Sequence, residues 1–236
     1  MNIAIIPARG GSKRIPRKNI REFCGKPIIS YSIDAAKKSG LFEHVVVSTD
    51  DPEIAEVAKA CGAEVPFTRP TELSDDYAAT VPVVAHAIRT TRELGWVFDS
   101  VCCIYPCAPL VQVEDVCGAL LSLNNSIADY CFPVTEYPSS IHRALRLLNG
   151  GKTQPIFPDF QLQRTQDGEP AYFDVGQFYW GSVEAWLSKP NIHNSGVGYV
   201  IPNWRVVDID NVADWQRAEI FFNIISGNVS YTHGKN

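Results

Sequence analysis

The sequence predicts an α/β fold with a mostly parallel central sheet flanked by helices. Short apolar runs alternate with amphipathic stretches through the first half of the chain, the pattern of strands joined by crossover helices. Gly40 and Gly62 follow two of those stretches, where helix stops belong. Of the 236 residues 45% are hydrophobic, which is enough apolar material for one sizeable domain to bury a core.

Taken in order, strands are expected at residues 3–7, 45–48, 65–67 and 101–105, and helices at 28–38, 53–61, 81–94 and 115–123, where apolar residues recur three and four apart. Residues 130–135 read as a further strand. From Pro138 the Pro, Gly and Gln content rises and the alternation is lost, so 138–172 is expected to form a small lobe within a single domain. Strands at 175–179, 197–201 and 206–209 and a closing helix at 212–225 complete the reading. Ligands of open α/β sheets bind beyond the carboxyl ends of the strands, so the loops after Pro7, Ser48, Phe67 and Tyr105 define one expected crevice.

Charge and composition narrow the function. A net charge of -5 argues against a general nucleic-acid surface, which needs clustered positive charge. No apolar run is long enough to span a membrane, and the first residues lack the basic start of a signal peptide, so a cytoplasmic protein is expected. The seven cysteines show no paired spacing. Cys102 and Cys103 are adjacent in a strand and so face opposite ways, which leaves Cys102, Cys103 and Cys107 as reduced thiols rather than one metal site.

Against this acidic background, residues 8–19 (Ala8, Arg9, Gly10, Gly11, Ser12, Lys13, Arg14, Ile15, Pro16, Arg17, Lys18, Asn19) gather five basic residues and paired glycines directly after the first strand. Glycines let backbone amides approach an anion, and Arg9, Lys13 and Lys18 are suited to neutralising a triphosphate. The spacing fits neither a Walker A loop nor a three-glycine dinucleotide loop. Asp208 and Asp210, two apart in an extended run, are expected on one face, where a hard cation takes oxygen ligands; the alternative for Asp210 is a cap for the closing helix. Asp50 and Asp51, just before Pro52, read as helix N-terminal charges.

The run from Ile5 to Lys13, followed by Pro16-Arg17-Lys18-Asn19-Ile20, resembles the signature of the acylneuraminate (CMP-sialic acid synthetase-like) cytidylyltransferases. The likeness continues through Ser48-Thr49-Asp50-Asp51, Arg69-Pro70, Leu73-Ser74-Asp75-Asp76 and Asp208-Ile209-Asp210, nearly to the end of the chain. It implies a Rossmann-like nucleotide-diphospho-sugar transferase fold with a small dimerisation lobe, and hence a homodimer. It further implies a CTP site built from residues 8–13 with Lys18 and Asn19, with Arg69 and Ser74 near the base, and Mg2+ on Asp208 and Asp210. Arg9, Lys13, Asp208 and Asp210 would then carry the chemistry. Arg69 suits cytosine because O2 and N3 are acceptors; its alternative is a surface ion pair with Glu72 or Asp75.

On the acceptor side the resemblance places Arg164 and Gln166, with Arg164 offering a fork for a sugar carboxylate, and Gln177, Phe178 and Tyr179, of which the two aromatic residues should alternate faces. Tyr105-Pro106-Cys107-Ala108-Pro109 and the segment from Asp174 to Trp180 depart from the usual sialic-acid pattern and resemble the pseudaminic acid cytidylyltransferases. Tyr105 and Ala108 join the expected sugar-acid site, and Ala108, Phe178 and Trp180 are apolar as a deoxygenated tail would require, with a place in the core as the equal alternative for each. An acceptor such as 3-deoxy-manno-octulosonate or N-acetylneuraminate, and a non-catalytic nucleotide sensor, remain the alternatives. His86 and His142 have no motif-like neighbours and imply no covalent catalysis.

Overall fold

The computed structural model describes residues 1–160, 162, 164 and 168–227. In chain order the strands and helices are β1 (Asn2–Pro7), β2 (Glu22–Phe23), β3 (Lys26–Pro27), α1 (Ile29–Ser39), β4 (His44–Ser48), α2 (Pro52–Ala60), α3 (Thr80–Glu93) and β5 (Ser100–Ile104). They continue as α4 (Val113–Asn124), β6 (Tyr130–Glu136), β7 (Leu145–Leu147), β8 (Thr153–Pro155), β9 (Tyr172–Asp174), β10 (Phe178–Ser182), α5 (Val183–Ser188), β11 (Gly196–Val200) and α6 (Val212–Ile225). The main sheet runs β11-β6-β10-β5-β1-β4, with β9 added to β6. β1, β4, β5, β6 and β11 point the same way, whereas β9 and β10 run against them.

The alternation of side chains along the strands divides the core between the two faces of the sheet. Ala4, Ile6, Cys102, Ile104, Phe178 and Trp180 pack toward α1, α2 and α4. Ile3, Ile5, Val101, Cys103 and Tyr179 pack on the other face with α3 and α5. The adjacent cysteines thus do face opposite ways, and all seven thiols are free. A third cluster joins Ile15 and Phe23 to Leu110, Val207, Ile209 and Trp215, so α6 clamps the basic loop from outside. Among the described residues no helix is long and apolar enough to cross a membrane.

Three expected strands differ. At 65–67 only Glu64 touches the sheet: Val47 N–H donates to its carbonyl at 2.9 Å and its own N–H to Val45 at 2.8 Å, and Pro66, having no N–H, ends the pairing. The strand expected at 175–179 is split, because Gly176 takes φ +67° between β9 and β10. Residues 206–209 belong to no ladder among the described residues, so the period-two argument for Asp208 and Asp210 does not apply. The cap of α6 is Asn211, in a capping box with Asp214, and not Asp210.

Residues 138–160 leave the main sheet, which β9 rejoins at Tyr172. Among the described residues they hold 3-10 turns at Ile141–Arg143, Asn149–Gly151 and Pro158–Phe160 and the separate hairpin β7-β8, and they expose Leu145, Leu147, Leu148, Ile156 and Phe157.

Of the paired aspartates only Asp51 caps a helix. Its Oδ1 accepts the N–H groups of Glu53 and Ile54 at 3.0 Å each, and Arg17 donates to both of its oxygens. Arg17 sits at φ 55°, a left-handed conformation unusual for arginine, and this double tie holds it there. The hydrogen bond from Arg17, aided by the helix N–H groups, brings the Asp51 carboxyl down to about 2. Because this lies below the unfolded value of about 4, the stabilisation is full at neutral pH and disappears as pH falls from about 4 through about 2. Asp51→Asn, which retains an accepting oxygen, is expected to cost about 1–2 kcal/mol in urea unfolding at pH 7. The gap should close toward pH 2; a pH-independent gap would refute the charge pairing.

Candidate active site

The strand order reverses direction at β1, which has β4 on one side and β5 on the other. Such a switch point opens a crevice where neighbouring loops part. Here it is a cavity of about 530 Å3. Backbone bonds fix its rim: Ala8 N–H donates to the Ser48 carbonyl at 2.9 Å, and Arg69 N–H to the Thr49 carbonyl at 2.8 Å. The loops after β1 and β4 and the Arg69 segment therefore move as one.

Of the sequence-predicted nucleotide residues, Arg9, Ser12, Lys13, Lys18, Asn19 and Arg69 line this cavity. Ala8 is buried beneath it. Gly10 lies behind the wall, where its N–H donates to Asp50 Oδ1 at 3.0 Å and a Cβ would stand 2.6 Å from the Asp51 carboxylate, so only glycine fits. At Gly11 a Cβ would meet open space. Ser74 is outside the lining, its hydroxyl donating to the Pro70 carbonyl at 2.9 Å. Asn19, almost fully buried, donates to the Arg9 carbonyl at 2.8 Å and accepts from the Cys107 thiol at 3.1 Å. Lys18 reaches across to donate to the Ile209 carbonyl at 2.8 Å, tying the loop to the aspartate segment.

Arg69 is not a surface residue. It is 4% exposed, and its nearest anion is Asp50 at 3.5 Å, not Glu72 or Asp75. Its buried Nε has no hydrogen-bond partner among the described residues, and the terminal nitrogen that faces Asp50 makes an ion pair but no hydrogen bond. Burial, only partly offset by Asp50, lowers the guanidinium's pKa. Buried donors without hydrogen bonds beside a cavity are an unmet demand for acceptors.

Charge on the loop is balanced by carboxylates from distant segments. Arg9 donates to Asp76 at 2.6 Å, Lys13 pairs with the other oxygen of the same carboxylate, and Arg14 pairs with Asp210 at 2.6 Å. Lys13 and Arg9 hold the Asp76 carboxyl below its usual range. Asp208 lines the cavity with no hydrogen bond or ion pair among the described residues. The walls of the crevice withdraw it from bulk water, and this, with the neighbouring charge of Asp210, raises its carboxyl. An under-neutralised carboxylate beside a second one is suited to Mg2+. No group of three or more His, Cys, Asp or Glu able to hold a metal occurs among the described residues, so such an ion would draw further ligands from substrate oxygens and water. Asp210 fits this role only on leaving Arg14.

The acceptor-side expectations divide. Tyr105, Ala108 and Gln177 line the cavity. Phe178 and Tyr179 do alternate faces, but both are buried in the core and neither lines the cavity, because β10 is an interior strand covered on both sides. Trp180 is likewise buried, its indole N–H donating to the Val116 carbonyl at 2.9 Å. Arg164 is exposed and away from the lining, and Gln166 lies outside the described residues. Burial pushes the Tyr105 hydroxyl up to about 12 and the Cys107 thiol up to about 12, so both stay protonated at neutral pH. Sequence reasoning left out Thr80, which lines the cavity and meets the Tyr105 hydroxyl at 2.7 Å, and it named Asp76 without a role, since no local spacing reveals its pairing with Arg9 and Lys13.

Residues 3–148 match the model of a family described as cytidylyltransferase. The pseudaminic acid cytidylyltransferase of Campylobacter jejuni subsp. jejuni serotype O:2 is 43% identical over 225 residues, covering 94% of this chain and 97% of that protein. The post-translational flagellin modification protein B of Campylobacter coli is 42% identical over 92% of this chain and 93% of that protein. Among solved structures, a CMP:2-keto-3-deoxy-manno-octonic acid synthetase complexed with CTP superposes with a TM-score of 0.71 at 15% identity, covering 97% of this chain and 99% of that one, which establishes a shared fold. With a basic loop at the switch point and a match spanning most of its sheet, the chain belongs to the cytidylyltransferase family.

Proposed function

We propose that the protein transfers CMP from CTP to the anomeric hydroxyl of a nonulosonic sugar acid, pseudaminic acid, and releases pyrophosphate. The observation that carries this reading is the meeting in one cavity of Arg9, Lys13 and Lys18 with a buried, donor-rich Arg69 and an under-neutralised Asp208. The choice of acid rests on the pseudaminic acid cytidylyltransferase that is 43% identical over nearly the whole of both chains.

The Arg69 N–H groups that lack hydrogen bonds satisfy O2 and N3 of cytosine, and bonding there offsets the cost of burying them. Arg9 and Lys13 exchange Asp76 for phosphate oxygens, and Lys18 adds charge from the loop's far end. These cations neutralise the pyrophosphate as it forms, when the acceptor oxygen bonds to the α phosphorus, the bond to the β-phosphate oxygen breaks and the hydroxyl proton is released. Asp208 and Asp210 would hold Mg2+, which supplies positive charge at the α-phosphate and favours ionisation of the acceptor hydroxyl.

Pyrophosphate release is expected with CTP and pseudaminic acid, at a higher kcat/KM than with legionaminic or N-acetylneuraminic acid at equal concentration. Asp208→Asn should lower turnover by orders of magnitude with little change in thermal unfolding. CTP binding with no turnover of any acid would favour a nucleotide sensor instead.

The apolar side chains exposed on residues 138–172 support a homodimer through this lobe. Sedimentation at micromolar concentration should give twice the 26.1 kDa chain mass. Leu147→Glu should shift the mass toward one chain; a fully active monomeric wild type would refute this assembly.

A further inference from the structure

Between the end of β11 and the cap of α6, residues 201–210 belong to no strand among the described residues, yet they bring Asp208 to the cavity wall. Asp208 has no hydrogen bond or ion pair among those residues, so no polar partner orients its carboxylate. Its place is set by the chain on either side. On the C-terminal side Lys18 donates to the Ile209 carbonyl at 2.8 Å and the Asp210 N–H donates to Asp214 Oδ2 at 3.1 Å, while Val207 and Ile209 pack into the cluster around Trp215. On the N-terminal side the tether is Arg205, the last residue of a short 3-10 turn (Asn203–Arg205) from which Val206 leaves extended. Arg205 Nη1 donates to Asp115 Oδ2 at 2.7 Å, and Nη2 donates to Asp115 Oδ1 at 3.2 Å.

This pair differs from the ion pairs of the basic loop. Its side chains are 15% and 7% exposed, against 68% and 40% for Arg14 and Asp210. Neither Arg205 nor Asp115 lines the cavity, so no substrate group competes for the bond, whereas Lys18 stands in the cavity and has phosphate to answer to. Asp115 is itself fixed. It lies in the first turn of α4, where the Trp180 indole N–H donates to the carbonyl of the next residue, Val116, and ties the helix to β10. A buried ion pair adds little stability over a well-packed apolar pair, but a guanidinium fork on one carboxylate fixes distance and orientation together.

We infer that Asp115 and Arg205 are positioning residues for Asp208: the pair anchors the strandless segment to α4 and holds the Asp208 carboxylate at the cavity for the metal, with or without nucleotide. The inference rests on the metal-assisted transfer proposed above.

Arg205→Lys keeps the charge that Asp115 needs and removes the fork. Its kcat should fall about tenfold or more, with KM for CTP changed by no more than about twofold, since the phosphate and base contacts are untouched. The double variant Asp115→Leu/Arg205→Met leaves no buried charge behind, so it should unfold near the wild-type midpoint and still show the same loss. Binding of Mn2+ in place of Mg2+, followed by electron paramagnetic resonance with protein in excess over CTP and no acid present, should weaken about tenfold in both variants. A pair that serves stability alone would not move that affinity in a protein of unchanged midpoint. Unchanged kcat and Mn2+ affinity in the folded double variant would overturn the inference, as would a loss of kcat with Mn2+ affinity intact; either leaves the proposed activity standing. A wild type that turns over no acid would overturn that activity, and the Mn2+ titration by itself would then decide whether the pair positions Asp208.

Discussion

The structure depends on keeping five basic residues folded within twelve positions at the carboxyl edge of one strand. Alone, such a loop repels itself. Carboxylates brought from three distant places hold it together: Asp51 and Glu53 at the start of α2 take Arg17, Asp76 takes Arg9 and Lys13, and Asp210 takes Arg14. The sheet makes the meeting possible, since β1 is flanked by β4 and β5 and the crevice lies where their following loops diverge.

These pairs differ in burial, and with it in their part in the account. The Asp51 carboxylate is largely enclosed, caps a helix and belongs to the scaffold. The Asp76 and Asp210 pairs stand at the cavity with substantial exposure on both partners, where an ion pair contributes little stability and can be exchanged. Triphosphate for Asp76 and metal for Arg14 are exchanges of like for like in charge. The site is therefore preorganised without a large penalty for opening it. Arg69 is the opposite case: it is buried, with only an ion pair to Asp50 at 3.5 Å and N–H groups that make no hydrogen bond, so the base finds a partner that water does not fully satisfy.

Much of this was legible in the sequence because it is local. β1, the basic loop and the bounds of α6 follow from apolar periodicity, paired glycines and helix signals within a few residues. What was not legible depends on partners far along the chain. Residues 206–209 look like a strand but find no neighbour, and their place is set by Lys18 and the cluster around Trp215. The aromatic run after Gly176 reads as a pocket wall, but β10 lies between β5 and β6, so Phe178 and Tyr179 are enclosed on their respective faces. Asp76 carries no local signal of its pairing, 67 residues from Arg9.

The central claim is that the basic loop reads phosphates beyond the first. Calorimetric titration of the protein with CTP and with CMP measures it directly. The account predicts much tighter binding of CTP, with the advantage over CMP shrinking as salt is raised because exposed cations are screened. Equal affinity for the two nucleotides at low salt would contradict it.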